Sequence, residues 1–76
     1  MNRIPAEILN AFYEKKEGNG LSFFINDSVS VVSGEKEGME GAIVGLDSFQ
    51  PFEQYLVEYP DGSSGSHRVS ELQPSS

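Results

Sequence analysis

The chain has no cysteine and no tryptophan, one histidine, and five basic residues against twelve acidic ones in 76 positions. Each scarcity removes a class of function. Without cysteine there is neither a disulfide framework nor a thiolate metal site. No apolar run approaches the roughly 18 residues that read as a transmembrane helix. The opening Met1-Asn2-Arg3-Ile4-Pro5 lacks the apolar core of a secretory signal. A cytoplasmic protein that does not enter the membrane is therefore expected. Hydrophobic residues make up 37% of the chain, which supports one domain around one small core. A chain of this length buries only about 60% of the surface its unfolded form exposes.

Catalytic machinery is equally scarce. His67 is the only imidazole, and it stands beside Arg68 in Ser66-His67-Arg68. A triad from Ser64, His67 and Asp61 would sit on one exposed hairpin with nothing to exclude water, so His67 reads as a solvated strand histidine. Gly62-Ser63-Ser64-Gly65 is not the Gly-x-Ser-x-Gly elbow and precedes no helix. Glu35, Glu37 and Glu40 crowd one segment but lack the alternating Asp/Asn and fixed Glu of a calcium loop. The stretch from Gly34 to Gly41 lacks the lysine and following helix of a phosphate loop. Neither an enzyme, a metal nor a cofactor is expected.

What is present is negative charge, and it is segregated. Residues 1–26 are balanced, with Arg3, Lys15 and Lys16 against Glu7, Glu14 and Glu17. Residues 27–76 carry the other nine carboxylates and only Lys36 and Arg68, so the whole net charge of −7 lies there. Such a segment repels phosphate backbones, whose binding requires clustered cations. Its electrostatic complement is a basic protein.

The apolar pattern changes period along the chain. Ile4, Ile8, Leu9 and Phe12 recur at helical spacing. Pro5 suits a first turn, and Glu7 with Lys15 and Lys16 suits the macrodipole. Gly18-Asn19-Gly20 supplies a stop. These signals predict a helix over about 5–17. Whether its stripe packs on the rest of the chain or pairs with a second copy in a weak homodimer stays open at this point.

After the apolar Leu21–Ile25 and a turn at Asn26-Asp27, short strands follow. Val29 and Val31 alternate within Ser28–Ser33, Gly41–Asp47 forms a second strand with a bulge or close approach at Gly45, and Gln54–Tyr59 forms a third. Pro60-Asp61-Gly62-Ser63 is a hairpin turn leading into Gly65–Val69. Val69–Leu72 makes a short turn before a last extended piece ending at Pro74, and residues 75–76 read as a disordered tail.

From Asp27 the chain runs through Val29 and Val31, then Gly34-Glu-Lys-Glu-Gly38-Met-Glu-Gly41-Ala-Ile43-Val44. Alternating valines followed by Gly-x3-Gly-x2-Gly-x-hydrophobic resemble the KOW motif of SH3-like barrels. The valines line a half-buried strand, and the glycines fold the loop back onto the next strand. The resemblance covers about 27–74. It implies a mainly β fold, a small five-stranded SH3-like barrel preceded by one α-helix, in a single domain spanning 1–76. The architecture is also similar to small SH3-like accessory subunits of oxidoreductase or photosynthetic complexes.

KOW modules contact RNA or partner proteins. The position before the second glycine, often Lys or Arg in that family, is Glu37 here, and Lys36 is the loop's lone cation. The leading expectation is thus a non-enzymatic, protein-binding accessory or regulatory module without direct nucleic-acid contact. Two alternatives are a KOW-type transcription or translation factor reaching RNA within a larger complex, and an acidic inhibitor or immunity-type protein. Loops on a rigid barrel carry recognition. The candidate partner surface therefore joins Glu35, Lys36, Glu37, Met39 and Glu40 of one loop to Phe49 and Phe52 of the next, with Tyr55 beside them.

Overall fold

A computed structural model describes residues 4–75. One helix, α1 (Ala6–Glu14), precedes five strands: β1 (Ser28–Val31), β2 (Glu40–Ser48), β3 (Gln54–Glu58), β4 (Ser64–Arg68) and β5 (Leu72–Pro74). All pairings are antiparallel, and the order is β4-β3-β2-β1-β5. The outer strands β4 and β5 are sequence neighbours, joined by a single 3-10 turn at Val69–Glu71. The fold is mainly β with one N-terminal helix. No helix among the described residues is long and apolar enough to cross a membrane.

The helix is shorter than its pattern predicts. Lys15 takes a left-handed conformation (φ 57°, ψ 43°), and both its N–H and that of Lys16 return to the Ala11 carbonyl. This closes the helix three residues before Gly18, the expected stop, and leaves no basic residue in the last turn. Lys16 instead pairs with Glu14 at 3.0 Å. A non-glycine residue in this conformation is disfavoured by about 1–2 kcal/mol, partly offset by glycine's own entropy cost of roughly 0.5–1 kcal/mol. Lys15→Gly is therefore expected to stabilise the fold by about 0.5–1 kcal/mol, raising the thermal midpoint by about 2–8 °C. A calorimetric scan checks it.

The helical stripe packs within the chain. Phe12 is 0% exposed and belongs to the same core as Phe23, Val29, Val31, Ile43, Tyr55 and Val57, while Ile4, Ile8 and Leu9 lean on that core half-buried. An isolated helix of this length is marginal in water, so this contact holds it in place.

Two register shifts mark β2, between Ile43 and Gly45 and between Leu46 and Ser48. The first is the bulge expected at Gly45, which bends the strand and increases its twist. The hairpin turn forms as its residues dictate. The Gly62 N–H bonds the Tyr59 carbonyl at 2.9 Å, with Pro60 and Asp61 between them and Gly62 at φ 90°. At the other terminus Ser75, expected in a tail, donates its N–H to Ser28 (3.0 Å), continuing the β1–β5 pairing by one bond. Ser76 lies outside the described residues.

Candidate functional site

The expected surface joined two loops, and the sheet separates them. The β1–β2 loop enters the N-terminal end of β2 and the β2–β3 loop leaves its C-terminal end. The nine residues of β2 lie between the two along the chain. Glu35, Lys36, Glu37, Met39 and Glu40 thus stand at one end, and Phe49 and Phe52 at the other.

At the first end the loop is a tight polar arch. The Gly38 N–H bonds the Val31 carbonyl (2.8 Å), the Val31 N–H bonds that of Met39 (2.8 Å), and Met39 N–H bonds that of Lys36 (2.9 Å). Gly34 and Gly38 both hold positive φ, 93° and 94°, so the motif's glycines serve the turn. Met39 tucks its side chain against the core, whereas Glu35, Lys36, Glu37 and Glu40 are exposed. Glu40 accepts from the Ser30 hydroxyl at 3.5 Å.

A neighbour the sequence reading did not place here completes this end: the β3–β4 turn. Lys36 Nζ stands 5.7 Å from the Tyr59 ring centroid. Asp61 sits close enough to feel the Lys36 charge. Its carboxyl lies below the usual aspartate range, first because the Ser63 hydroxyl (2.6 Å) and N–H (3.0 Å) both donate to it. In an antiparallel meander alternate loops share an end, and that parity was the available signal.

Beneath the loop lies a buried polar chain. His67 is 8% exposed, not the solvated histidine expected. The Glu71 carboxylate accepts from His67 Nδ1 at 3.3 Å, which leaves Nε2 to accept from the Tyr59 hydroxyl. Gly65 makes room for this bond, because a β-carbon there would stand 2.6 Å from the Tyr59 hydroxyl. Burial first, then the negative charges of Asp61 and Glu71, push the Tyr59 hydroxyl upward, so it stays protonated. The chain ties β4, the 3-10 turn and the β3–β4 turn together. A cleft of about 260 Å³ opens above it between Gly34, Lys36, His67 and Glu71.

In the β2–β3 connection Phe52 is 49% exposed and carries the Arg68 guanidinium 4.3 Å over its ring. Phe49 is half-buried, and its ring lies against Gly20.

Tyr55 belongs to neither surface. It is fully buried, because its alternation with Leu56 aims it at the core beside Phe12 and Phe23. Its hydroxyl accepts the N–H groups of Ser22 (3.2 Å) and Phe23 (3.3 Å) and donates to Glu53 (2.6 Å).

Burial, reinforced by the bond to Glu53, raises the Tyr55 hydroxyl well above tyrosine's ordinary 10.0. The unfolded chain therefore releases this proton first. Stability that is complete below pH about 10 falls as pH rises further, by about 1.4 kcal/mol per pH unit. Tyr55→Phe is expected to flatten that slope to the share left by Tyr59. At neutral pH it costs about 1–3 kcal/mol, since two N–H groups and Glu53 lose a partner. Urea midpoints followed upward from neutral pH read both effects.

The end built by the β1–β2 loop and the β3–β4 turn therefore carries exposed Glu35, Glu37, Glu40 and Asp61, with Lys36 over the Tyr59 ring. Beside it a groove of about 420 Å³ runs over the sheet, lined by Gly41, Ala42, Glu58, Tyr59, Pro60 and Gly62. Compared with known protein families and with curated proteins, the chain matches none.

Proposed function

We propose that the chain is a non-enzymatic, cytoplasmic protein-binding accessory or regulatory module, an acidic KOW-type SH3-like barrel behind one helix, that meets its partner through the end made by the β1–β2 loop and the β3–β4 turn. The observation that carries this reading is that Glu35, Glu37, Glu40, Glu58 and Asp61 are all exposed on this loop, this turn and the strand ends beside them. The barrel reading draws support from the bulged β2, from the 3-10 turn that links the outer strands, and from the three motif glycines meeting backbone requirements. A protein partner is favoured over RNA because three of the described cations are engaged by separate partners. Lys16 is held by Glu14, Lys36 lies over Tyr59, and Arg68 lies over Phe52. An acidic inhibitor of a basic enzyme would use the same surface.

Affinity capture from the native host, with and without nuclease and at rising salt, tests the reading. A discrete protein that survives nuclease and weakens with salt is expected. Capture abolished by nuclease, or no protein above background, overturns it.

A further inference from the structure

The sheet has one face covered and one open. Phe12 lies on the face that carries Val29, Ile43, Tyr55 and Val57. On the other face the register aligns Ser28, Ala42, Glu58 and Ser64 straight across β1–β2–β3–β4. Ser30 and Glu40 form the neighbouring row. Apart from Glu58 and Glu40 these rows are serine and alanine, short enough for another chain to approach the sheet backbone. The turn of Tyr59, Pro60 and Gly62 walls one side, giving the groove of about 420 Å³. Glu58 lines the groove and Glu40 lies in the row beside it, both exposed, and Asp61 stands in the turn with its charge held by Ser63.

Charge decides what can occupy such a groove. Phosphate backbones are repelled by these carboxylates. A second copy of this chain would oppose its own excess of negative charge, since residues 27–76 offer only Lys36 and Arg68. Resting on the protein-binding reading above, we propose that the groove seats an extended Lys- and Arg-bearing segment of the partner protein, with one cation at Glu58 in the groove and the next toward Glu40 in the row beside it. Short floor residues admit the segment's backbone, and the two carboxylates select its side chains.

Amide NMR shifts of the isotope-labelled protein, titrated with a short synthetic peptide alternating Lys and Gly and with its Glu–Gly counterpart, test this directly. The basic peptide should move Gly41, Ala42, Glu58 and Gly62, and the acidic one should move nothing. The double variant E40Q/E58Q should bind roughly five- to tenfold more weakly. The variant E7Q/E17Q, neutralised on and just after the helix, should bind like the parent. Equal weakening in both variants, or no shift with the basic peptide, overturns the groove. Shifts confined to Phe52 and Arg68 also overturn it while leaving a protein-binding role intact. Shifts produced by an RNA oligomer and not by the peptide overturn both readings.

Discussion

Gly41→Ala is expected to cost about 3 kcal/mol or more, the upper range for forcing an extra carbon into a packed core. A β-carbon at Gly41 would overlap the Glu58 carbonyl oxygen and stand 2.8 Å from Val57 Cγ1. Neither neighbour can yield cheaply. One is backbone of the paired strand, and the other is a fully buried side chain. Either β2 moves off β3 or the core repacks. Gly45, four residues along the same strand, supplies the control. A β-carbon there meets Leu56 at an ordinary 3.5 Å, so Gly45→Ala should change stability by less than about 1 kcal/mol. Urea denaturation of the two variants separates a requirement for close approach from a general preference for glycine. Equal costs would contradict it.

Phe12→Ala is expected to remove about 3–5 kcal/mol, the usual loss for a buried phenylalanine. A chain of this length has about 4–11 kcal/mol in total, at roughly 0.05–0.15 kcal/mol per residue. The helix has little else to hold it, since Ile4, Ile8 and Leu9 are only half-buried. The Phe12 ring lies 6.2 Å from that of Tyr55, and its carbonyl receives the Ile25 N–H at 3.4 Å. Helical circular dichroism should thus fall together with the thermal midpoint. Tyr13→Ala is the contrast. Tyr13 is 57% exposed and touches Phe12 edge-on at 5.0 Å, so its loss should cost less than about 1 kcal/mol. Retention of full stability by Phe12→Ala would mean that the helix is not docked on the sheet.

These residues also show what a sequence exposes and what it conceals. The Ile4–Phe12 stripe, the alternating valines and Pro60-Asp61-Gly62 were legible because each is a local signal with one physical cause. The spacing of Gly34, Gly38 and Gly41 was legible too, and the structure divides its reasons into positive φ at the first two and close approach at the third. Lys15 was not legible as a helix stop, because nothing in a lysine marks a left-handed backbone. The Tyr59–His67–Glu71 chain was hidden for another reason. It depends on where three side chains point once β4 and the 3-10 turn are placed. Tyr55 was misplaced through its neighbours. An aromatic next to a loop can face either way, and its parity with Val57 was the better guide.

The acidic end was half legible. Acidity at Glu35, Glu37 and Glu40 was visible directly, and so was the solitary Lys36. Joining that loop to Phe49 and Phe52 ignored the parity of an antiparallel meander, in which the β1–β2 loop shares its end with the β3–β4 turn. Asp61 and Glu58 took the place of the aromatics, and the surface became more acidic as a result.

Site-specific photo-crosslinking in the native host tests the acidic end most directly. A photoreactive side chain at Glu37, compared with one at Glu17, reports which end of the molecule meets a partner. A discrete protein adduct from position 37 that fades with rising salt, and none from position 17, is expected. An adduct from position 17 alone, or an RNA adduct from position 37, would contradict it.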